Sequence, residues 1–229
     1  MYHSITFGNK NTWDDWHLVP SSRPVFNPPD LKQKTLEIPG GDGFIDLSES
    51  LTGYPVYENR EGSLEFIVMN DYWEWQEAYS TIMDYIHGRK MKAVLEDDPN
   101  YYYEGRFTVN EWRSEEKYST ITIDYSLAPY KTKIEESSNT IQMTTSLQAF
   151  GLSNYFYGHA PVCPTFVINA SAGATIRFIN NTLGIDLTKT VSGGTVQIPE
   201  FVCYGDSVLI NLTGKANGTM IIKCKYRRL

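Results

Sequence analysis

The amino-acid sequence predicts a mainly β protein of two domains: an N-terminal β-sandwich or split barrel with one α-helix, and a C-terminal β-sandwich. Short apolar runs, many with period-two alternation, recur along the chain between Gly, Asn, Asp and Pro. Only one segment has a helical period. Composition also changes along the chain. Residues 1–133 hold all five tryptophans and 22 Asp and Glu against 13 Lys and Arg, a net charge of −9, whereas residues 134–229 hold 5 against 7.

Strand patterns flank the helical segment on both sides. Residues 63–69 are predicted to form one strand, and residues 118–127 another, with Ile121, Ile123 and Tyr125 on its apolar face. These alternations are typical of half-buried strands, because successive side chains of a strand point to opposite faces.

The helix is predicted over residues 70–87. Its apolar face, spaced by three and four residues, consists of Tyr72, Trp75, Tyr79, Ile82, Met83 and Ile86. Asp71 and Glu74 resemble a capping box at its start. Gly88 stands where a left-handed residue ends many helices, and basic residues follow it near the negative end of the helix dipole.

A β-hairpin is predicted directly after the helix. Residues 91–96 and 101–109 have the composition of strands. The segment between them, Asp97-Asp98-Pro99-Asn100, consists of residues that favour turns.

The remaining chain contains a linker and a second set of strands. Residues 131–139 are polar and follow Ala128-Pro129-Tyr130, so we place the domain boundary between residues 133 and 134. Beyond it, apolar runs separated by turn residues predict an all-β sandwich; they are 165–169, 174–179, 195–198, 207–212 and 220–226. In the last run, apolar residues alternate with mostly basic ones.

Charge and composition exclude several functional classes. The net charge of −7 comes without dense Lys/Arg clusters, so specific nucleic-acid binding is not expected. No segment has the length and apolarity of a membrane span, and the N-terminus lacks the pattern of a secretory signal. We therefore expect a protein that is made in the cytoplasm, with its three cysteines reduced and its Asn-x-Ser/Thr sequences serving as turns.

No catalytic or cofactor motif stands out. The adjacent Asp97 and Asp98 suggest general acid–base chemistry, but the following Pro-Asn favours a turn. A Cys₃His zinc site is conceivable for His159 and the three cysteines, Cys163, Cys203 and Cys224, yet the cysteines sit in apolar strand patterns typical of buried thiols. The glycine-rich residues 38–44 predict a tight loop between strands. We expect no enzyme activity, no cofactor and no metal.

Trp13 and Trp16 are candidate assembly contacts. They flank Asp14-Asp15 in a polar segment. Large rings of this kind anchor subunit interfaces, but they also fill the cores of small domains. Both interpretations stay open from the sequence.

Several short segments recur in an order that is typical of one known family. They are Ser4-Ile5-Thr6-Phe7-Gly8-Asn9-Lys10; Ile38-Pro39-Gly40-Gly41-Asp42-Gly43 before Ile45-Asp46-Leu47-Ser48; Arg60 before Leu64-Glu65-Phe66; Ile86-His87-Gly88-Arg89-Lys90; Asp98-Pro99 before Tyr102-Tyr103-Glu104-Gly105-Arg106; and Pro129-Tyr130-Lys131. This order resembles the N-terminal domain of the distal tail protein family of siphophages, the phages with long flexible tails. The resemblance covers most of residues 1–133, and the ending Lys225-Tyr226-Arg227-Arg228-Leu229 is similar too.

The resemblance implies a structural virion protein at the phage tail tip, assembled in the host cytoplasm. It implies a hexameric ring that joins the tail tube to the tail-tip or receptor-binding proteins and lets DNA pass. Expected partners are further copies of the chain, the tail tube protein, a tail-associated lysin or tail-tip protein, and a receptor-binding protein. Residues 134–229 would form a galectin-like or carbohydrate-module-like sandwich. The acidic first domain suggests a channel that repels DNA phosphates.

Two alternatives belong to other classes. A carbohydrate-binding module or adhesin is suggested by the second sandwich and by the Tyr-rich residues 101–103 and 154–157, although residues 134–229 contain no tryptophan. A glycosidase would require catalytic roles for Asp97 and Asp98.

Overall fold

The computed structural model describes residues 2–68, 75–114, 118–152 and 160–229. The chain divides into two compact units. The first comprises Met1–Lys32, Val56–Lys131 and Leu229, and the second comprises Gln33–Pro55 and Thr132–Arg228. The segment Gln33–Pro55, assigned to the first domain from sequence, therefore groups with the second unit. Whether residues 1–133 and 134–229 act as separate domains stays a prediction.

Strands dominate the described residues. Up to residue 127 the elements are β1 (Ile5–Phe7), β2 (Lys10–Asn11), β3 (Leu18–Pro20), β4 (Thr35–Glu37), β5 (Phe44–Asp46), β6 (Arg60–Val68), α1 (Trp75–Ile86), β7 (Arg89–Leu95), β8 (Tyr101–Ser114) and β9 (Ser119–Leu127). They are followed by β10 (Lys131–Lys133), β11 (Ser137–Met143), β12 (Gln148–Gly151), β13 (Thr165–Asn169), β14 (Ala174–Asn180), β15 (Ile185–Val191), β16 (Gly194–Gln197), β17 (Val208–Gly214), β18 (Gly218–Cys224) and β19 (Arg227–Arg228).

The first unit is built on a curled, antiparallel sheet. Its strands lie in the order β2-β1-β7-β8-β9-β6-β3. Apolar and polar side chains alternate along the strands, so one face of the sheet lies in a core. In β9, for example, Ile121, Ile123 and Tyr125 are buried, and the residues between them are partly exposed. The predicted hairpin is confirmed as β7 and β8, with Lys90 opposite Arg106.

The helix α1 packs its apolar face on this sheet. Trp75, Ile82 and Ile86 are buried in the core, with Tyr79 and Met83 packed against it, as the helical period predicts. The predicted start of the helix, with Tyr72 and the Asp71/Glu74 capping box, lies outside the described residues. No helix in the described part of the chain is long and apolar enough to cross a membrane.

Gly88 ends the helix in the predicted left-handed conformation, with φ of 70°. Its amide donates to the Phe107 carbonyl at 2.8 Å, so the turn leads directly into the sheet. We expect Gly88→Ala to lower the free energy of unfolding by about 1 kcal/mol, because an L side chain is disfavoured at positive φ. A Cβ at this position would meet nothing within 4 Å, so the loss would come from the backbone alone.

Urea denaturation measures the free energy of unfolding of Gly88→Ala, with Gly88→Asn as the matched variant. Asparagine tolerates the left-handed region better than alanine does, so it should recover part of the loss. Equal stability of wild type and Gly88→Ala would contradict the assigned backbone conformation.

The second unit contains a β-sandwich. One sheet has the order β11-β18-β13-β16 and the other the order β12-β17-β14-β15. Both sheets contribute to one core, through residues such as Phe166 and Met220 from the first and Phe178 and Ile210 from the second. In β18, buried Met220, Ile222 and Cys224 alternate with more exposed residues, as predicted. The mainly β fold class, with a helix-bearing N-terminal part followed by a sandwich, is confirmed.

Candidate assembly surfaces

A hydrogen-bonded turn at the N-terminus positions Trp13. The Asn11 side-chain oxygen accepts the backbone N–H of Trp13 at 2.9 Å, and the Asp15 carboxylate accepts the Asn11 N–H at 2.7 Å. The Trp13 ring stacks on Tyr2 with centroids 3.8 Å apart and meets the edge of His17 at 5.6 Å. Tyr2 and His17 are exposed, so these three rings form a small aromatic stack at the surface.

Trp16 has a different environment. Its side chain is 6% exposed and belongs to the first core, where it meets the Tyr85 ring at 5.5 Å. Within one copy of the chain, Trp16 is thus a core residue, whereas Trp13 is partly accessible. That Trp13 and Trp16 are assembly contacts stays a prediction, and Trp13 is the better placed of the two.

β4 and β5 form a two-stranded sheet joined by the glycine-rich loop, and we call residues 35–46 the apolar hairpin. The predicted tight loop is confirmed, with positive φ at Gly40 and Gly43. Leu36 lies directly opposite Ile45, and Glu37 lies opposite Phe44. Leu36 is 55% exposed and Phe44 61%, which is unusual for large apolar side chains in adjacent strands.

The loop could be predicted from the sequence, but the exposed apolar surface of the two strands was not predicted. The signal was present, because Leu36-Glu37-Ile38 and Ile45-Asp46-Leu47 both alternate apolar and acidic residues. Such alternation is normally taken to mark a face buried against the protein's own core. Here both strands are exposed along their whole length.

β7 and β8 carry a group of basic side chains on the solvent side of the first unit's sheet, and we call it the basic face. Lys90 is opposite Arg106, and Lys92 is opposite Glu104. All three basic residues are exposed. Lys90 Nζ lies 3.3 Å from Glu104 Oε1, and Lys92 Nζ lies 4.3 Å from the centre of the Tyr102 ring.

The neighbouring part of this sheet carries acids. An open depression of about 540 Å³ is lined by Glu61, Gly62, Ser63, Arg106, Thr108, Asp124, Tyr125 and Ser126. Glu61 belongs to β6 and Asp124 to β9, and both strands present a mostly polar outer face. The lining is hydrophilic and shallow, in contrast to the enclosed, largely apolar sites that bind small molecules.

Asp97 and Asp98 lie in the turn between β7 and β8. Asp97 accepts a hydrogen bond from Arg23 Nε at 2.8 Å and lies 3.0 Å from His3 Nδ1, while Asp98 pairs with Lys131 at 2.7 Å. The hydrogen bond from Arg23 lowers the pKa of Asp97. A carboxylate held in its charged form by such partners is a poor general acid, so the turn interpretation is the better one.

The cysteines occupy the second unit. Cys203 and Cys224 are buried in its core, and the half-buried Cys163 donates from Sγ to the Ile198 carbonyl at 3.0 Å. Burial raises the pKa of all three thiols, that of Cys224 to about 12. The proposed fourth zinc ligand, His159, lies outside the described residues. Among residues that are described, no group of His, Cys, Asp or Glu is arranged to hold a metal ion.

We expect these thiols to be slow nucleophiles in the native protein. A raised pKa leaves less thiolate at about pH 8 than a free cysteine has, and burial blocks the reagent. Titration with a disulfide reagent should modify Cys163 first, with Cys203 and Cys224 reacting only after denaturation. Rapid modification of all three thiols in the folded protein would contradict their burial.

The tyrosines at the start of β8 do not form an open platform for a sugar ring. Tyr103 is buried, Tyr102 packs beneath Lys92, and Tyr101 lies 4.9 Å from Lys131 Nζ. The second Tyr-rich segment, residues 154–157, lies outside the described residues. Residues 101–103 therefore do not support the interpretation of the chain as a carbohydrate-binding module.

Comparison with known proteins gives a likeness to a solved structure. No protein-family model matches the chain, and no curated protein sequence matches it either. Among solved structures, the chain is similar to the Dit protein (gp 19.1) of SPP1, described as a paradigm of the hub adsorption apparatus of phages that infect Gram-positive bacteria. The TM-score is 0.68 at 14% sequence identity, and the match covers 99% of each chain. This protein therefore has the fold of the SPP1 Dit protein over essentially its whole length.

Proposed function

We propose that this chain is a distal tail hub protein of a long-tailed bacteriophage, and that six copies form a ring at the tail tip. The observation that carries the proposal is the likeness to the SPP1 Dit protein over 99% of both chains. Shared fold alone is compatible with many functions. Here the likeness extends over residues of both units, and the order of short segments in residues 1–133 supports the same family independently of the fold.

The chemistry of the side chains supports a structural role. The carboxylates of the candidate acid pair, Asp97 and Asp98, are held in ion pairs, and the three thiols have raised pKa values. Exposed apolar and charged surfaces, by contrast, are present on both units. A protein of this kind works by binding other proteins, so we propose no enzymatic activity and no cofactor.

In the proposed assembly, the ring joins the tail tube to the tail-tip or receptor-binding apparatus. The N-terminal domains would line a central channel, and the C-terminal sandwiches would lie outside. Partners would be the tail tube protein, a tail-associated lysin or tail-tip protein, and a receptor-binding protein. The chain would be assembled in the host cytoplasm and retained in the virion.

Acidic side chains of the first domain would help DNA to pass. The net charge of residues 1–133 is −9, and Glu61 and Asp124 lie on the solvent side of the sheet. Carboxylates facing a channel repel phosphates and prevent the genome from adhering to the wall. We expect phages carrying Glu61→Gln and Asp124→Asn to release DNA more slowly than wild type when ejection is triggered in vitro.

The matched control is Glu135→Gln, which removes an exposed acid from the second domain. It should leave the rate of DNA release unchanged. Equal release by the Glu61/Asp124 variant and wild type would count against an acidic channel, without bearing on whether a ring forms.

Two measurements test the hub itself. Purified protein, alone and mixed with the tail tube protein of the same phage, should give sixfold rings in negative-stain images. Phages lacking the gene should make no infectious particles. Infectious virions without this chain would overturn the proposal, and tight binding of a saccharide by a monomer on a glycan array would favour a carbohydrate-binding module.

A further inference from the structure

β15 is the outer strand of one sheet of the sandwich in the second unit. It extends over Ile185–Val191, and among the described strands it pairs with β14 alone. Residues 186–190 are exposed. A strand at the edge of a sheet presents unpaired N–H and C=O groups along one side, and these groups can pair with a strand of another molecule. The side chains of β15 therefore decide whether a further strand binds there.

Lys189 lies on the side of β15 that faces the core. In the pairing of β14 with β15, Lys189 is opposite Ile176, and Leu187 is opposite Phe178. Directly opposite residues of an antiparallel pair lie on the same face of the sheet. Ile176 and Phe178 are fully buried in the core of the sandwich, so Lys189 and Leu187 leave the strand on that side. A lysine thus occupies a position where the alternation of a strand favours an apolar residue.

The charged end of Lys189 remains in water at the open side of the sandwich. Its Nζ lies 3.1 Å from Oε1 of Glu200, in the segment that follows β16, and both side chains are about half exposed. An exposed ion pair of this kind contributes little to stability. A strand added beside β15 would take both charges out of water, and that desolvation costs free energy even for a paired lysine.

The other residues of β15 favour strand pairing. The strand contains Ile185, Leu187 and Val191 besides two threonines, and it has neither proline nor glycine. Leu187 is 37% exposed. Asp186, the other charged residue of the strand, accepts two hydrogen bonds from the neighbouring Arg177, at 2.8 Å from Nε and 2.6 Å from Nη2. Lys189 is therefore the one residue of β15 that places a charge on the core-facing side.

We propose that Lys189 prevents copies of the chain from joining through β15. The strand that this edge fits is β15 of a second copy, paired antiparallel about Thr188. In that arrangement Lys189 of each copy lies opposite Leu187 of the other, and the two lysines are diagonal neighbours on one face. They repel each other and lose water together. Charges that point inward protect the edges of natural sheets in the same way. The inference does not depend on the proposed ring.

Lys189→Val is expected to open this edge. Valine favours strands and completes the apolar alternation with Leu187 and Val191. In sedimentation velocity at about 100 μM, the weight-average mass should rise about twofold or more above that of wild type, because each β15 then binds a second one. Hydrogen exchange should show added protection of the amides in residues 185–191. Lys189→Thr, which matches the neighbouring threonines, should give the same result.

Three control variants separate the inward charge from other effects of the substitution. Thr188→Val adds the same apolar, β-branched side chain on the opposite face and keeps Lys189, so the mass should stay that of wild type. Glu200→Gln removes the ion pair and keeps the lysine, and it should also stay at the wild-type mass. Lys189→Val combined with Leu187→Lys returns a charge to the same face and should abolish the association.

The outcomes decide the inference without reference to the hub proposal, which is tested by ring formation of the wild-type chain. Wild-type mass for both Lys189→Val and Lys189→Thr would overturn the inference. Association without added protection of residues 185–191 would also overturn it, since another surface would then hold the copies together. Association of Glu200→Gln would assign the protection to the ion pair and not to the lysine. Association that persists after Leu187→Lys is added would show that a charge on this face does not close the edge.

Discussion

Replacing Arg60 with alanine is expected to lower the free energy of unfolding by about 3 kcal/mol or more. Arg60 is 4% exposed, at the start of β6. Its Nε donates to the Pro129 carbonyl at 2.8 Å, and its Nη1 donates to the Asn27 carbonyl at 2.7 Å. Alanine would leave both carbonyls without this donor and a cavity beside the Tyr103 ring, which lies 5.5 Å from the guanidinium carbon.

The charge of Arg60 makes the comparison with methionine informative. Burial lowers the pKa of Arg60, and its Nη2 is buried without a hydrogen-bond partner among the described residues. The guanidinium stays charged at neutral pH even so, and its desolvation costs free energy. Methionine fills most of the volume without that cost. We therefore expect Arg60→Met to lose clearly less stability than Arg60→Ala, although both lose the two hydrogen bonds.

Chemical denaturation followed by tryptophan fluorescence measures the free energy of unfolding of both variants. All five tryptophans lie in residues 1–133, the same part of the chain as Arg60. Arg60→Lys is a useful third variant, because lysine keeps the charge without the fork that reaches two acceptors. An Arg60→Ala protein within about 0.5 kcal/mol of wild type would show that the two carbonyls find other donors.

The regular elements could be predicted because their signals are local. Ile121, Ile123 and Tyr125 alternate in sequence and are buried together, and the period of α1 selects the side chains that enter the core. Gly88 ends the helix for a reason intrinsic to glycine, its freedom to adopt positive φ. Such features depend on residues a few positions apart, so the sequence contains them directly.

Features that depend on distant residues were not predictable. Arg60 is a charged residue at the start of a strand, where solvent exposure is the usual expectation, and its acceptors Asn27 and Pro129 lie 33 and 69 positions away. The apolar hairpin has the alternation of a core strand, yet it is exposed. Trp13 and Trp16 both have polar neighbours in the sequence. Only the fold shows that Trp16 is a core residue and that Trp13 is partly accessible.

Alanine substitutions in the two cores are expected to have the other large effect. Phe107 is fully buried in the first unit and meets the edge of the Phe7 ring at 4.9 Å. Phe178 is fully buried in the second unit and stacks on Phe201 at 4.8 Å. Each Phe→Ala change should cost about 3–5 kcal/mol in its own unit, through lost burial and the cavity left behind.

The same two variants test the proposal that the chain contains two domains. If each domain unfolds around its own core, calorimetry should resolve two transitions, because domains with separate cores unfold independently. Tryptophan fluorescence should follow only the first, since residues 134–229 contain no tryptophan. Phe107→Ala should then shift the transition that fluorescence follows and leave the second calorimetric transition in place. Phe178→Ala should shift the second transition and leave the fluorescence transition in place.

Phe44→Ala is the control for both, because it removes a ring that is 61% exposed in the apolar hairpin. Loss of an exposed side chain is expected to change stability by no more than about 0.5 kcal/mol. A single transition that moves together in both core variants would mean that the chain folds as one cooperative body. The division at residue 133 would then describe composition without marking a folding boundary.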